Sequence, residues 1–396
     1  MKVKQIPADF VVDERSSLVA ADRGRFSVYL LRKQGIGTLE ALRAVRRAWR
    51  LGQRLVGYGG LKDRHAVTTQ WVTLPDGPRK NLDEKAFRLT YEGRSDIPMS
   101  RMVLTANAFK IRLRDLGPEQ AATLAARLLD ATAHGLPAYF DDQRFGSLRG
   151  GGGFAALHLL KGDPETALKA VIASPSKEDR TVVRDRKRRI AKCWGAWDEA
   201  IPSLTGSPMR APLVHLRGAP GDFAGAFRAL DRDERRLFAS AYASSVWNRA
   251  VSRRISEATP EADRIVLKGA AGPLVFPRAP EPLQAFEGAI LPLPAVKARA
   301  EDPAWHAALK AALAEDGLAL GQLGALEDFG MDLRATKRAV LFRPLEAKSA
   351  DPAPDDLNPG RMRLDLSFTL GRGLYATILL KRLAFDLGGA KLFRSA

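Results

Sequence analysis

Two segments in different halves of the chain alternate strictly between apolar and polar residues, Asn107–Arg114 and Arg361–Leu370. A two-residue period is that of a β-strand with one buried face. Both segments therefore predict half-buried strands, which must pair with other strands in a sheet. Residues 346–360, just before the second segment, are polar and rich in Pro and predict a loop. The outer face of the first strand is expected to be basic and carries Lys110, Arg112 and Arg114.

Helical patterns lie between these strands. One helix is predicted to start at Thr38, which would cap it, and another runs from Pro118 to Gly135. A longer helix, Asp231–Ile255, carries Asn248 on its apolar stripe, where a buried amide must find hydrogen-bond partners. The two ends of the chain thus supply antiparallel-sheet elements with helices, and a separate block lies between them. This pattern predicts an α+β fold.

The charge of the chain favours a polyanionic partner. Among its 396 residues, 63 Lys and Arg face 45 Asp and Glu, a net charge of +18. Nucleic acid or an anionic membrane surface would suit such a protein, although a GC-rich genome also raises Arg usage. No apolar stretch is long enough for a membrane span and the start lacks an apolar signal core, so we expect a cytoplasmic protein without a membrane partner.

The densest basic run lies between Arg180 and Lys192, where seven of thirteen residues are Lys or Arg. Such a run is either a solvated surface or a set of phosphate contacts, and the overall charge favours the second interpretation. The predicted phosphate contacts are Arg186, Lys187, Arg188 and Arg189.

The sequence offers little for metal or cofactor chemistry. The single cysteine, Cys193, excludes an internal disulfide and a thiolate metal cluster, and the five histidines lack metal-ligand spacing. Neither a phosphate-binding P-loop nor a dinucleotide-binding glycine motif occurs. We therefore expect no metal, no nucleotide cofactor and no other cofactor.

The segment 56–74, VGYGGLKDRHAVTTQWVTL, places one carboxylate at a turn between two strands. Asp63 follows a Gly-Gly turn and is flanked by Lys62 and Arg64, and nearby cations favour the ionised carboxylate. Such a group can act as a nucleophile or base without a cofactor. The alternative is an Asp that only bonds backbone amides of its turn.

The segment 137–146, PAYFDDQRFG, combines aromatic, amide and guanidinium side chains. Aromatic rings such as that of Phe140 stack on bases, an amide such as Gln143 reads base edges, and Arg144 suits a phosphate. The alternative is the end of a strand whose aromatic residues belong to the core.

Taken together, these segments resemble the TruD family of tRNA pseudouridine synthases. GGLKDRHAVTTQW resembles the family signature G-x-K-D-[RK]-x-A-x-T-x-Q, and PAYFDDQRFG resembles N-Y-F-G-x-Q-R-F-G. IPADFVVDE, after Lys4, resembles P-x-D-F-x-V-x-E, and RRLFASAYASSVWN, ending at Asn248, resembles S-A-x-x-S-x-L-F-N. LSFTLGRGLYATILLKRL resembles the family's C-terminal motif F-x-L-x-x-G-x-[YF]-A-T-x-[VL]-x-R-E, apart from Leu380 and Lys381. The chain departs from the family at Ala138, where Asn is usual, and at Asp141, where Gly is usual.

The resemblance implies conversion of uridine to pseudouridine in tRNA, at position 13 in bacterial relatives. It implies that Asp63 is the catalytic carboxylate, with Phe140 stacked on the uracil and Lys4 beside Asp63 as a charge partner. Gln143, Arg144 and Asn248 are further candidates for substrate binding, and we expect a monomer. The departures at Ala138 and Asp141 motivate an alternative, a non-catalytic RNA-binding or RNA-folding protein derived from the family.

The resemblance also implies the architecture. A pseudouridine synthase catalytic domain with a mostly antiparallel mixed sheet would be built from residues 1–162 and 341–396. An inserted α/β domain would occupy residues 163–340.

Overall fold

The computed structural model describes residues 1–51, 56–148 and 150–387. These residues pack into two compact units. The first contains Met1–Gly135 together with residues 343–387, and the second contains Leu136–Phe342. The domain boundaries expected from the family, at residues 163 and 340, stay a prediction.

Every strand of the described residues that is longer than six residues lies in the first unit. In chain order they are β1 (Lys2–Val3), β2 (Phe10–Ser16), β3 (Phe26–Gln34), β4 (Gly57–Tyr58), β5 (Val67–Pro75), β6 (Leu82–Glu84), β7 (Phe87–Ser95), β8 (Leu104–Leu116), β9 (Leu136–Pro137), β10 (Arg264–Gly269), β11 (Gly272–Pro277), β12 (Ile290–Pro292), β13 (Lys337–Ala339), β14 (Leu341–Phe342), β15 (Leu345–Ser349), β16 (Ala353–Pro354) and β17 (Met362–Gly371).

The α-helices of the described residues lie mostly in the second unit. They are α1 (Thr38–Trp49), α2 (Pro118–His134), α3 (Ala155–Leu160), α4 (Pro164–Ile172), α5 (Thr181–Lys192), α6 (Trp197–Ala200), α7 (Arg210–Gly218), α8 (Phe223–Arg228), α9 (Arg232–Ala258), α10 (Pro303–Ala314) and α11 (Ala376–Leu383).

One large sheet organises the first unit. Its strand order is β15-β17-β8-β2-β5-β3-β7-β6, with β16, β1 and β4 paired to β17, β8 and β5. β2 and β5 run parallel, whereas β8 is antiparallel to both β2 and β17. The two alternating segments of the sequence are therefore neighbours in one sheet, as β8 and β17. This mixed sheet with helices confirms the predicted α+β class.

The prediction that the polar side of β8 is an exposed basic face is wrong for Arg114, which is only 1% exposed. Its guanidinium bonds Asp9 and Asp355 at 2.8 and 2.6 Å, and Asp356 at 2.9 Å. Burial by itself would lower the pKa of Arg114, but the three carboxylates hold that pKa above its ordinary value. Residues far apart in the sequence thus cover one end of β8.

The prediction that residues 346–360 form only a loop is also wrong. This segment includes most of β15 and all of β16, both of which pair with β17. Asp355, which follows β16, accepts a hydrogen bond from the Asp115 N–H at 2.9 Å. Its polar residues therefore extend the sheet and neutralise Arg114.

The second unit is arranged around the long helix α9. Asp231 caps its N-terminus by accepting hydrogen bonds from the N–H groups of Asp233 and Glu234. The helix packs against α10 and β11, and Val246, Trp247 and Val251 on it are fully buried. The helix predicted at 231–255 is thus confirmed and forms the core of this unit. Among the described residues, no helix is long and apolar enough to cross a membrane.

Candidate active site

The Asp63 loop, residues 59–66, connects β4 to β5 in the first unit. It passes close to β2, because a Cβ atom on Gly59 would collide with the carboxylate of Glu14. Glycine is therefore required there by the close approach of the two chains. The residues that follow the Gly-Gly turn noted in the sequence lead directly into the start of β5.

The Asp63 carboxylate is bound on both oxygens. Lys4 donates a hydrogen bond to Oδ2, and the His65 backbone N–H donates to Oδ1 at 3.0 Å. The side chain of Asp63 is 31% exposed, so solvent or a ligand can still reach it. The structure thus brings together Lys4 and Asp63, which lie 59 residues apart in the sequence.

The surroundings keep Asp63 ionised. Burial by itself would raise its pKa, but the Lys4 ammonium and the His65 backbone N–H hold the pKa below its usual value. A carboxylate that is ionised at neutral pH and partly exposed can attack an electron-poor carbon or accept a proton. This is the chemistry that the sequence predicted for Asp63.

Lys4 reaches this position from an unusual backbone conformation. Its φ of 58° lies in the left-handed region, which costs about 1–2 kcal/mol for a residue other than glycine. The ammonium also lies 4.1 Å from the centre of the Phe10 ring. Local strain that places a charged group is a common feature of functional sites.

The two cations next to Asp63 in the sequence do not contact its carboxylate. Lys62 turns to the inside, where its Nζ bonds Asn107 Oδ1 at 2.6 Å and lies 3.4 Å from Glu14 Oε1. Arg64 bonds Glu40 at the surface. The charge partner of Asp63 is therefore Lys4, whereas Lys62 connects the Asp63 loop to Asn107 and Glu14 in the interior.

Glu14 is a buried residue of this region that the sequence interpretation did not single out. Its side chain is 0% exposed, and Oε2 accepts a hydrogen bond from the Trp71 N–H at 3.2 Å. Burial raises the pKa of Glu14 and lowers that of Lys62, while their mutual attraction opposes both shifts. The final Glu of IPADFVVDE was the sequence signal that could have found it.

Thr38 does not have the capping role predicted for it. The residue before α1 is Gly37, and the Thr38 hydroxyl instead accepts a hydrogen bond from the Lys62 N–H at 2.9 Å and donates to Gln70 Oε1 at 2.8 Å. Thr38 therefore connects α1 and β5 to the Asp63 loop.

The Phe140 loop, residues 138–141, follows β9 in the second unit and is held by the long helix. Asn248 Oδ1 accepts a hydrogen bond from the Phe140 N–H at 2.9 Å, and Asn248 Nδ2 donates to the Phe140 carbonyl at 2.8 Å. The buried amide expected on the helix stripe thus finds both partners on one residue. The structure brings together Phe140 and Asn248, two of the predicted site residues.

The Phe140 ring lies among aromatic and cationic groups and is only 7% exposed. It meets the Trp247 ring edge to face at 5.6 Å, and the Arg338 guanidinium lies 4.1 Å from its centre. Arg338 Nε also donates to the Ala138 carbonyl at 2.9 Å. Arg338, which the sequence interpretation did not identify, therefore supports the loop at Ala138, one of the two departures from the expected family pattern.

The remaining candidates of this segment differ in their environment. Arg144 bonds the hydroxyls of Ser244 and Ser240 on α9, and its guanidinium lies 5.7 Å from the Phe140 ring. Gln143 is exposed. Both departures from the family pattern, Ala138 and Asp141, are buried at 1% and 2% exposure.

The predicted phosphate contacts lie on α5. Arg188 and Arg189 are exposed, and Arg186 is partly exposed. Lys187 is only 14% exposed and pairs with Asp179 at 3.1 Å. The four side chains are thus unequally available to a ligand.

Comparison with known proteins gives one consistent result. The family model of tRNA pseudouridine synthase D (TruD) matches residues 1–383. "Probable tRNA pseudouridine synthase D 1" of Methanococcus maripaludis is 33% identical over 389 residues, covering 96% of this chain and 99% of that protein. The tRNA pseudouridine synthase D of Aquifex aeolicus is 26% identical over 397 residues, covering 97% and 98%.

A solved TruD structure from Methanosarcina mazei is similar throughout. It superimposes with a TM-score of 0.70 at 26% identity and covers 96% of this chain and 93% of that one. Family match, sequence relatives and fold thus agree along nearly the whole chain, which belongs to the tRNA pseudouridine synthase D family.

Proposed function

We propose that this protein is a tRNA pseudouridine synthase that isomerises uridine at position 13, with Asp63 as its catalytic carboxylate. The observation that carries the proposal is the geometry around Asp63, the Asp of the family signature G-x-K-D in this chain. Asp63 is partly exposed, and Lys4 and the His65 N–H keep it ionised. Family membership supplies the class of substrate and reaction.

The reaction requires one bond to break and one to form in the same nucleotide. Asp63 starts cleavage of the bond between uracil N1 and ribose C1′. The freed uracil turns within the site and C5 bonds to C1′, after which C5 loses its proton and N1 carries one. The composition of the nucleotide is unchanged, so the isomerisation needs no oxidant or reductant.

The target uridine must leave its helical stack, at a cost of a few kcal/mol that new contacts offset. We assign stacking on the uracil to Phe140, whose backbone Asn248 holds. Gln143 and Arg144 would bind neighbouring groups of the RNA. Arg186, Lys187, Arg188 and Arg189 would contact its phosphates.

The remaining parts of the proposal follow the family. Residues 1–162 and 341–396 would form the catalytic domain and 163–340 the inserted domain. The protein would act as a monomer in the cytoplasm, with tRNA as its partner and no nucleotide cofactor.

The test is chemical mapping of pseudouridine in an unmodified tRNA transcript after incubation with the purified protein. We expect pseudouridine at position 13, none in a transcript with cytidine there, and none with Asp63→Asn, which should bind tRNA within a few-fold of wild type. Asp76→Asn, an exposed carboxylate of the same unit, is the matched control and should remain active.

Two results would change the assignment. Turnover by Asp63→Asn above about a hundredth of the wild-type rate would remove Asp63 from the central role. Tight tRNA binding without pseudouridine formation by the wild type would favour the alternative of a non-catalytic RNA-binding or RNA-folding protein.

A further inference from the structure

Lys33 is a cation buried beneath the Asp63 loop. It lies near the end of β3 and is 1% exposed, whereas Arg32 and Gln34 on either side are exposed. Its neighbours on the adjacent strands are Thr68 and Phe87, and neither side chain is charged. The sequence interpretation gave Lys33 no role.

The Lys33 ammonium donates three hydrogen bonds, all to backbone carbonyls. Its Nζ lies 2.7 Å from the Asp63 carbonyl, 3.2 Å from the Lys62 carbonyl and 2.9 Å from the Ile36 carbonyl. An ammonium has three N–H groups and no acceptor, so these carbonyls use its full capacity. Lys33 thus ties the Asp63 loop to the turn that follows β3.

Burial of the Lys33 charge is energetically unfavourable, which indicates that the charge has a functional role. Burying an ammonium is unfavourable unless an opposite charge compensates it, and here its hydrogen-bond partners are neutral carbonyls. An unbranched apolar side chain would fill the same position without that cost. A second bond, from the Gly35 N–H to the Arg64 carbonyl at 3.1 Å, joins the same two segments. The specific contribution of Lys33 is therefore the direction of the carbonyls at residues 62 and 63.

We propose that Lys33 is a positioning residue, whose buried ammonium holds the backbone of Lys62 and Asp63 and so aims the Asp63 carboxylate at the reacting nucleotide. The proposal rests on the proposed function, in which Asp63 starts the reaction. Lys4 bonds the Asp63 carboxylate directly, whereas Lys33 bonds only main-chain carbonyls. In the proposed role Lys33 does not contact the substrate.

The protonation of Lys33 supplies a signature of this role. Burial lowers the pKa of Lys33 to about 8; Asp63 opposes that shift, and Lys62 and Arg64 add to it. A neutral amine has two N–H groups and one lone pair, so one of the three carbonyls would lose its donor. Positioning should therefore weaken as the pH rises through about 8.

The first experiment compares Lys33→Met with Arg32→Met, which removes one positive charge from the exposed side of the same strand. We expect Lys33→Met to lower the single-turnover rate at pH 7 by about 10- to 100-fold, with the Kd for tRNA within threefold of wild type. Arg32→Met should keep both values within threefold. A rate for Lys33→Met within twofold of wild type would overturn the proposal.

A readout that does not depend on catalysis separates this proposal from the proposed function. In Lys33→Met, amide hydrogen exchange in peptides covering residues 61–66 should accelerate at least tenfold, because the His65 N–H loses its fixed acceptor on Asp63. Unchanged exchange there would refute the positioning role. Faster exchange in a protein whose wild type makes no pseudouridine would instead refute the proposed function alone.

The wild-type protein provides a further test should Lys33→Met fail to fold. Its turnover should decline as the pH rises through about 8. The unfolded chain keeps the Lys33 proton up to about pH 10.5, so between these values deprotonation of Lys33 favours the folded state. Falling turnover without a matching loss of stability supports the proposal, and turnover that stays constant from pH 7 to 9.5 overturns it.

Discussion

Asn248 binds the backbone of Phe140 in both directions, accepting from its N–H at 2.9 Å and donating to its carbonyl at 2.8 Å. One side chain on α9 therefore satisfies both polar backbone groups of a buried residue. The pair also joins two family motifs that lie 108 residues apart in the sequence.

Asn248→Leu should destabilise the protein by roughly 2–4 kcal/mol, because it leaves a buried N–H and a buried carbonyl without partners. Denaturant unfolding measures this cost. Asn81→Ala, which removes a single exposed hydrogen bond to the Tyr91 N–H, should cost about 1 kcal/mol or less. Equal costs for the two variants would mean that the loop rearranges to satisfy its own backbone.

Phe140→Leu should lower the turnover of the folded protein about 10- to 100-fold, since stacking of a base on an aromatic ring contributes about 1–3 kcal/mol. Loss of the contact with Trp247 should also cost about 1 kcal/mol of stability. Turnover must therefore be measured per folded molecule, with the folded fraction taken from the thermal unfolding curve. Full activity of that fraction would make Phe140 a core residue only.

Lys4→Met should move the acidic limb of the pH–rate profile to higher pH. Lys4 is the main group that offsets the effect of burial on the pKa of Asp63, so its loss lets that pKa rise. Because the pKa of Asp63 is lower in the folded than in the unfolded protein, ionised Asp63 stabilises the fold at pH values above its unfolded-state pKa. This stabilisation is lost as the pH falls through the pKa of the folded state. In Lys4→Met the ionised Asp63 should therefore stabilise the fold less, and acidification should remove less stability through this carboxylate.

The control for that experiment is Lys2→Met, two residues away, where the ammonium bonds Asn358 at the surface. Its pH–rate profile should match that of the wild type. An unshifted acidic limb in Lys4→Met would show that the limb belongs to another group.

The affinity for tRNA should fall steeply with salt, with a slope of log affinity against log salt of magnitude three or more. Replacing Arg186, Arg188 and Arg189 together by Gln should reduce that magnitude by roughly 2, because each phosphate contact contributes about 0.7–0.9. Lys187→Gln alone should reduce the slope less than loss of any one of these three arginines, since Lys187 is already paired with Asp179. If the triple variant keeps the wild-type slope, α5 is a solvated surface.

Regular patterns made much of the fold predictable from the sequence. The period of β8 and β17 and the helix expected over 231–255 depend on residues close in the chain, and all three are confirmed. Arg114 was misjudged because alternation identifies the polar side of a strand but not the distant segment that later covers it.

The candidate site, too, could be predicted only where its residues form a local sequence pattern. The motif picks out Asp63, but its neighbours in sequence, Lys62 and Arg64, point away from it. Lys33 looks like any other basic residue of a strand, since its partners are main-chain carbonyls that carry no residue-specific signal.

The position of β17 between β8 and β15 has a consequence for how the protein is made. β8 leaves the ribosome about 250 residues before β17, which at ordinary rates of synthesis is a delay on the order of tens of seconds. Throughout that time one edge of β8 has no neighbour, and Arg114 still lacks Asp355. The unit that carries Asp63 is therefore completed last, after the whole intervening unit has been synthesised, and during that interval the nascent chain exposes an edge on which other strands can add.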